Sequence, residues 1–458
     1  MDNIFDMIAE LCSRVRALCE DSVYQKYGCI SPAAKAEIRL QIQGAMPALF
    51  EGDRVRQLGR ADMDKAFFRE LENCIAKAVE GGDVFYMTGL LQVLDESLET
   101  MLKEITAEYQ RDNFSVVLNS NRESTGIGLL PRCSCIWERG HRLSHSYDRL
   151  DNFLYHLLML ENDILGEMID KHFFLPKNDF SDVGKHGRLT IAATPLRLEP
   201  HYDLPAFEED RVEYFRVHGH EEHYEEDNEL IWQKILAAAR GSSDIMVFPE
   251  MVGNRLTAGY ISGKIKPLAD EERLKLPALT ILPSYYENRL NIAEVIDRQG
   301  NILCRQTKQN LSTYMLKGRP HLEAITRNNV VNIFHYEGIG RFAFLICKDF
   351  LTTGYLEQIM RCFKLTLIIV PSNSTGSYDF RQSVDLCAHD DCNVVWLNTC
   401  AAMIPGKEAN FDHIGYVRKR IGRDDDDSQK LTEMPICPGA FEGRCSHDCM
   451  FFETIKGV

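Results

Sequence analysis

From Arg188 to Asn398 the chain alternates short apolar runs with longer amphipathic stretches, and this alternation constrains its fold more than any other feature. The runs 189–194, 244–249, 278–283, 330–334, 342–346, 365–370 and 393–398 are five or six residues long and read as buried strands. Between them, 228–240, 355–363 and 380–389 read as helices. The segment Asn291 to Lys308 holds an Asp297-Arg-Gln-Gly300 turn between two strand-like arms, which predicts a hairpin. Strands that lead to helices and back, with hairpins among them, give an α/β fold of two sheets covered by helices.

The first 180 residues read differently. Asn3 to Glu20 is amphipathic, Ser31-Pro32 starts a helix, and Asp62 to Glu80 stops at Gly81-Gly82. Long helices are expected over Val84 to Gln110 and Ser146 to His172, with a loop over Asn119 to Gly140. At 458 residues two domains are expected: an all-helical N-terminal domain over 1–180, without chemistry of its own, and an α/β domain over 187–458. Pro176 to Gly187 is the expected linker. The net charge of −16 makes a nucleic-acid partner an unfavoured reading. No apolar run approaches the roughly 20 residues that span a bilayer. The N-terminal residues lack a basic, then apolar, leader, and 15 scattered cysteines point to reduced thiols in a cytoplasm.

Several of the strands deliver reactive side chains at their C-terminal ends. Asp244-Ile-Met-Val-Phe-Pro-Glu250 ends in a carboxylate, the hairpin ends in Lys308, and Arg341-Phe-Ala-Phe-Leu-Ile-Cys347 ends in a thiol followed by Lys348-Asp349-Phe350. A strand that carries a thiol to its tip fixes the sulfur, and the turn beyond supplies a backbone N–H beside it. These motifs, with Leu367-Ile-Ile-Val-Pro-Ser-Asn373, resemble the carbon–nitrogen hydrolase (nitrilase) superfamily over residues 187–405. The resemblance implies a four-layered α/β/β/α sandwich and a Glu–Lys–Cys triad, here Glu250, Lys308 and Cys347.

In that reading Cys347 attacks an amide carbonyl or a nitrile carbon. Glu250 takes the thiol proton and passes it to the leaving nitrogen, with burial in an apolar strand expected to raise its pKa. Lys308 and the backbone N–H of Lys348 hold the oxyanion. Glu323, 15 residues after Lys308 and 24 before Cys347, matches a second glutamate of the family that orients the lysine and the substrate. Asn373, Ser374 and Tyr285, each just past a strand, are expected to line the pocket. No metal or organic cofactor is required. The resemblance also implies a homo-oligomer, and the helical domain is a possible site for a protein partner.

Three features depart from the family pattern. Asn310 stands where the family has histidine, Lys348 follows the cysteine where it has an aromatic residue, and an insert of about 30 residues, 201–229, follows the first strand. The insert carries 11 carboxylates against two arginines, so it reads as a solvated acidic loop that would act as a lid if ordered. Its His218, His220 and His223 have a spacing able to bind a metal. Cys437, Cys445, His447 and Cys449 fit no common zinc module, and Asp424 to Asp427 reads as a solvated loop.

The function expected is thiol-dependent hydrolysis of a linear amide or carbamoyl group, less so of a nitrile, through a covalent thioester on Cys347. The alternative is a catalytically silent ligand-sensing or assembly module. Acyl transfer to an acceptor other than water would use the same residues.

Overall fold

The computed structural model describes residues 3–18, 23–112, 115–137, 149–196, 199–268, 274–402, 413–420, 430–441, 444 and 448–457. Two seven-stranded mixed sheets organise the α/β part. The first runs in the order Tyr285–Glu287, Leu290–Asp297, Leu279–Ile281, Ile245–Val247, Arg188–Ala193 and Phe451–Lys456, with Ile302–Thr307 also paired to Leu290–Asp297. The second runs Leu431–Pro435, His413–Arg418, Asn393–Leu397, Leu367–Pro371, Gly340–Phe344, Val330–Tyr336 and Ile169–Phe174. In each sheet the central strands are parallel.

The two sheets share one apolar cluster. Leu189, Ile245 and Leu279 of the first sheet join Phe342, Leu367 and Val395 of the second. Along Leu367–Pro371 the side chains alternate: Leu367 and Ile369 enter that cluster, while Ile368 and Val370 join the cluster of the Thr353–Phe363 and Tyr378–His389 helices. The helices Tyr224–Arg240 and Thr257–Ile265 pack with Ala192 and Met246 of the first sheet in the same way. Burial on both faces is why these strands read as continuous apolar runs.

The first 112 residues are largely helical, as expected, with helices at Ile4–Leu18, Val23–Cys29, Pro32–Ala45, Lys65–Gly81, Val84–Ser97 and Glu99–Asp112. Ser31 Oγ accepts the Ala34 N–H at 3.1 Å, which caps the third of these. The expected helix Val84 to Gln110 is interrupted at Leu98.

Beyond Asp112 the all-helical reading fails. In place of a loop over 119–140 there is a strand, Ile127–Pro131. In place of a helix over 146–172 there are strands Leu157–Glu161 and Ile169–Phe174. The apolar run 153–160 misled because both faces of its strand are covered. Leu157 and Met159 face the core of the N-terminal helices, whereas Leu158 and Leu160 face the helices of the second sheet. A doubly buried strand carries no alternation and matches a buried helix in sequence.

Ile169–Phe174 pairs in parallel with Val330–Tyr336 over six residue pairs, so the second sheet draws its edge strand from before the expected linker. Within that linker, Ser181–His186 is helical. The tail after Asp412 is also more ordered than expected, supplying His413–Arg418, Leu431–Pro435 and Phe451–Lys456 to the two sheets. Asp424 to Asp427, Cys445 and His447 lie outside the described residues. No helix among the described residues is long and apolar enough to cross a membrane.

Candidate active site

Both sheets send their strand ends to one buried place. The first supplies Glu250, just past Ile245–Val247, and Lys308, directly after Ile302–Thr307. The second supplies Cys347, just past Gly340–Phe344, and Asn373, just past Leu367–Pro371. Lys308 Nζ lies 2.8 Å from Glu250 Oε1, 2.8 Å from Glu323 Oε2 and 2.8 Å from Ser312 Oγ. Glu250 also accepts from Asn291 Nδ2 at 2.8 Å and, through Oε2, from the Asn373 N–H at 2.8 Å. Glu250 and Glu323 are fully buried, and Lys308 is 2 % exposed. An ammonium and two carboxyls without water must answer one another, because an uncompensated charge there is costly.

Their protonation follows from that burial. Desolvation, and then the charge of Glu250, push Glu323 well above the carboxylate range. Lys308 nonetheless donates to Glu323 Oε2 at 2.8 Å, so this carboxyl shares the ammonium with Glu250. Its other oxygen meets the Tyr286 hydroxyl, and the Ser312 N–H donates to Oε2 at 2.9 Å. Burial lowers the Lys308 pKa, but the Glu250 charge opposes it and the net shift is upward. Lys308 is a fixed cation.

Cys347 occupies a left-handed backbone conformation, φ 47°, which a residue with a Cβ adopts only under local restraint. Its N–H donates to the Pro371 carbonyl at 2.9 Å, and its carbonyl accepts the Phe350 N–H at 3.1 Å. Sγ lies 3.9 Å from the Asn373 carbonyl and feels the charges of Glu250 and Lys308. Burial raises the thiol pKa, the Glu250 charge adds to that, and Lys308 opposes it; the net direction is upward. Cys347 therefore rests as a thiol, and a base must remove its proton before it can attack.

The sulfur opens onto a cavity of about 680 Å³ lined in part by Tyr202, Tyr314, Lys348, Asn373 and Ser374. As first residue of the helix Lys348–Leu351, Lys348 has a backbone N–H without an intrahelical acceptor. The side chain of Asn373 is held between two tyrosines, donating to Tyr202 Oη at 2.7 Å and accepting from Tyr314 Oη at 3.0 Å. Ser374 is held by Asn398 Oδ1 on its N–H at 2.9 Å.

Of the residues singled out in the sequence, Glu250, Lys308, Glu323 and Cys347 come together, and Lys348, Asn373 and Ser374 line the same cavity. Tyr285 does not. It lines a separate cavity of about 50 Å³, and its neighbour Tyr286 is the one that reaches Glu323.

Sequence reasoning missed Asn291, Ser312 and Asp349. The Asp349 carboxylate accepts the N–H groups of Gln309 at 2.9 Å and Asn310 at 2.7 Å, and Asn310 Nδ2 at 3.0 Å. It staples the lysine turn to the cysteine turn, and Asn310, the departure from the family's histidine, is half of that staple. Burial lifts the Asp349 pKa to about 7.

The insert is not a free solvated loop. Its strands Ala206–Glu209 and Val212–Phe215 form a four-stranded sheet with Thr313–Leu316 and Arg319–Glu323. Phe215 pairs in parallel with Glu323 itself, and Tyr202 extends from the insert into the cavity. His218 lies in a short strand opposite Asp203, while one coordinating atom each of His220, Glu222 and His223 lie within 4.8 Å of one another.

No protein-family model matches the chain, and neither does any curated protein. Solved structures do. The glutamine-dependent NAD+ synthetase of Acinetobacter baumannii aligns at 15 % identity and TM-score 0.39, over 59 % of this chain and 46 % of its own length. This chain therefore spans less than half of that protein. An amidase from Nesterenkonia sp., described as a nitrilase-superfamily member, aligns at 14 % identity and TM-score 0.39, over 58 % of this chain and 90 % of its own. The NitFhit protein of C. elegans aligns at 16 % identity and TM-score 0.37, over 59 % and 61 %.

Proposed function

We propose that this protein is a carbon–nitrogen hydrolase of the nitrilase type, acting through a thioester on Cys347 within a four-layered α/β/β/α arrangement. The observation that carries the reading is the buried Lys308–Glu250 contact at 2.8 Å, set beside a thiol that opens onto a cavity. A merely structural ion pair has no reason to sit against a strained, cavity-facing cysteine.

The chemistry follows from the positions. Cys347 Sγ forms a bond to the amide carbonyl carbon as Glu250 takes the thiol proton. The oxygen that becomes negative is held by the Lys308 ammonium and the Lys348 N–H. Collapse breaks the C–N bond, and Glu250 gives its proton to the departing nitrogen, leaving a thioester. Water then attacks the thioester, Glu250 takes a proton from it, and the C–S bond breaks to release a carboxylic acid and restore the thiol. Glu323, 2.8 Å from Lys308 Nζ, keeps that lysine placed.

The cavity accommodates a small substrate with polar groups, which Asn373, Tyr202 and Tyr314 are placed to meet. A panel of short linear amides, carbamoyl compounds and nitriles tests the proposal by ammonia or amine release, with acid-quenched protein examined for acyl mass on the Cys347 peptide. Release with transient acylation, both abolished in Cys347→Ala, is the expected result. Release that persists in Cys347→Ala, or its absence across the whole panel, contradicts it.

A further inference from the structure

The insert holds a second constellation that the hydrolytic chemistry does not use. His220 follows the strand His218–Gly219, and Glu221–His223 forms a single tight turn. That turn gathers two imidazoles and a carboxylate, from His220, Glu222 and His223, with coordinating atoms within 4.8 Å of one another. None of the three lines the cavity at Cys347.

The surroundings are those of a metal site. Asp203 Oδ2 lies 3.0 Å from His220 Nε2, an acidic neighbour beside the imidazole. Glu226 approaches His223 Nδ1 at 3.7 Å. The ring of His201 stacks on His223 at 3.8 Å, and His201 Nδ1 is itself tied to Asp227 Oδ1 at 2.9 Å, which fixes the face of the cluster. The His220 N–H donates to the His201 carbonyl at 2.9 Å, which ties the two ends of the insert together. Side chains of His220 and His223 are 28 % and 38 % exposed, so an ion has access and water can complete its shell.

We propose that His220, Glu222 and His223 bind one divalent transition-metal ion of the zinc type. Two nitrogens and one carboxylate oxygen suit zinc, cobalt or nickel and are a poor set for calcium or magnesium, which take oxygen ligands. The ion braces the insert. Gly219 pairs with Tyr202, and Tyr202 reaches the catalytic cavity, where its hydroxyl receives Asn373 Nδ2 at 2.7 Å. Fixing His220 against His223 therefore fixes the strand that carries Tyr202.

Cobalt(II) is the probe, because the chain also holds 15 cysteines and cobalt distinguishes thiolate from imidazole ligation by a near-ultraviolet charge-transfer band. The full chain is dialysed against cobalt(II), and bound metal and spectrum are compared with His220→Ala/His223→Ala and with Glu222→Gln, an exposed position whose exchange leaves the fold intact. The wild type is expected to bind one equivalent more than the double variant, without a thiolate band for that equivalent. Glu222→Gln is expected to bind it about tenfold more weakly or worse, about 1.4 kcal/mol. Equal binding by wild type and both variants, or cobalt held only through thiolates, overturns the proposal. The readout is binding, so it stands or falls apart from the hydrolytic reading.

Discussion

At Cys347, burial works against reactivity, and the neighbouring charges decide whether the thiol can act. The thiol is held protonated by desolvation and by Glu250, so loss of the base should be felt at once. Glu250→Gln removes the proton acceptor and replaces one of two accepting oxygens with a donor, and kcat on whatever amide the panel identifies is expected to fall by about 10²–10⁴. Lys308→Met removes an oxyanion donor and is expected to cost about 10²–10³ in kcat. Asp349 gives a pH signature. Its folded pKa of about 7 lies above the ordinary 3.8, so between those values the folded chain keeps a proton that the unfolded chain has released. The stability that this proton contributes is full below pH 3.8 and is lost as pH rises through 7. Denaturant midpoints measured across that range should therefore decline in the wild type relative to Asp349→Asn, and parallel curves would contradict the assignment. That Glu250, Lys308 and Cys347 would meet was legible because each lies just past its own strand. Asp349 was quoted with the cysteine motif but not understood, since its partners, Gln309 and Asn310, lie about 40 residues away and only the folded turns bring them together.

Among elements, the insert changes meaning most. Eleven carboxylates in a short stretch read as a solvated loop, yet Phe215, at the end of the strand Val212–Phe215, is fully inside, its ring 5.2 Å from that of Tyr314. Only Glu208, Glu209 and Glu213 of those carboxylates lie in the two insert strands, and Phe215 pairs with Glu323. Phe215→Ala is expected to cost about 3–5 kcal/mol in denaturant unfolding. It should also lower kcat, because the strand that places Glu323 loses its packing. Unchanged kcat in a folded Phe215→Ala protein would show that the insert does not position Glu323. Sequence could not show this, because the pairing partner Arg319–Glu323 is more than 100 residues away and its register is a tertiary fact.

Taken whole, the molecule does not divide where composition changes. The hairpin of Ile127–Pro131 and Leu157–Glu161 is a wall with the N-terminal helices on one face and the helices of the second sheet on the other. Beyond it, Trp137 Nε1 donates to the Thr366 carbonyl at 3.0 Å, and the buried Arg341 donates to the Cys133 carbonyl at 2.9 Å. Residues 187–458 alone would lack the edge strand Ile169–Phe174 and would expose the Val330–Tyr336 backbone. That fragment is expected to aggregate or to lose its near-ultraviolet circular dichroism, whereas a soluble, native-like fragment would show that the N-terminal residues are dispensable to the fold. The α/β order from Arg188 onward was legible because its strands and helices alternate along the chain. The joining region was not, since a ribbon buried on both faces has no periodicity to read.

The central claim, that Cys347 is an activated nucleophile served by Glu250 and Lys308, can be tested without knowing the substrate. The full chain is exposed to limiting iodoacetamide across a range of pH, and occupancy at every cysteine is read by peptide mass spectrometry, beside Glu250→Gln and Lys308→Ala. Cys347 is expected to label well ahead of buried thiols such as Cys304 and Cys387, and its rate and pH response are expected to change in both Glu250→Gln and Lys308→Ala. If Cys347 labels no faster than those thiols and ignores both substitutions, the three residues do not form a catalytic unit.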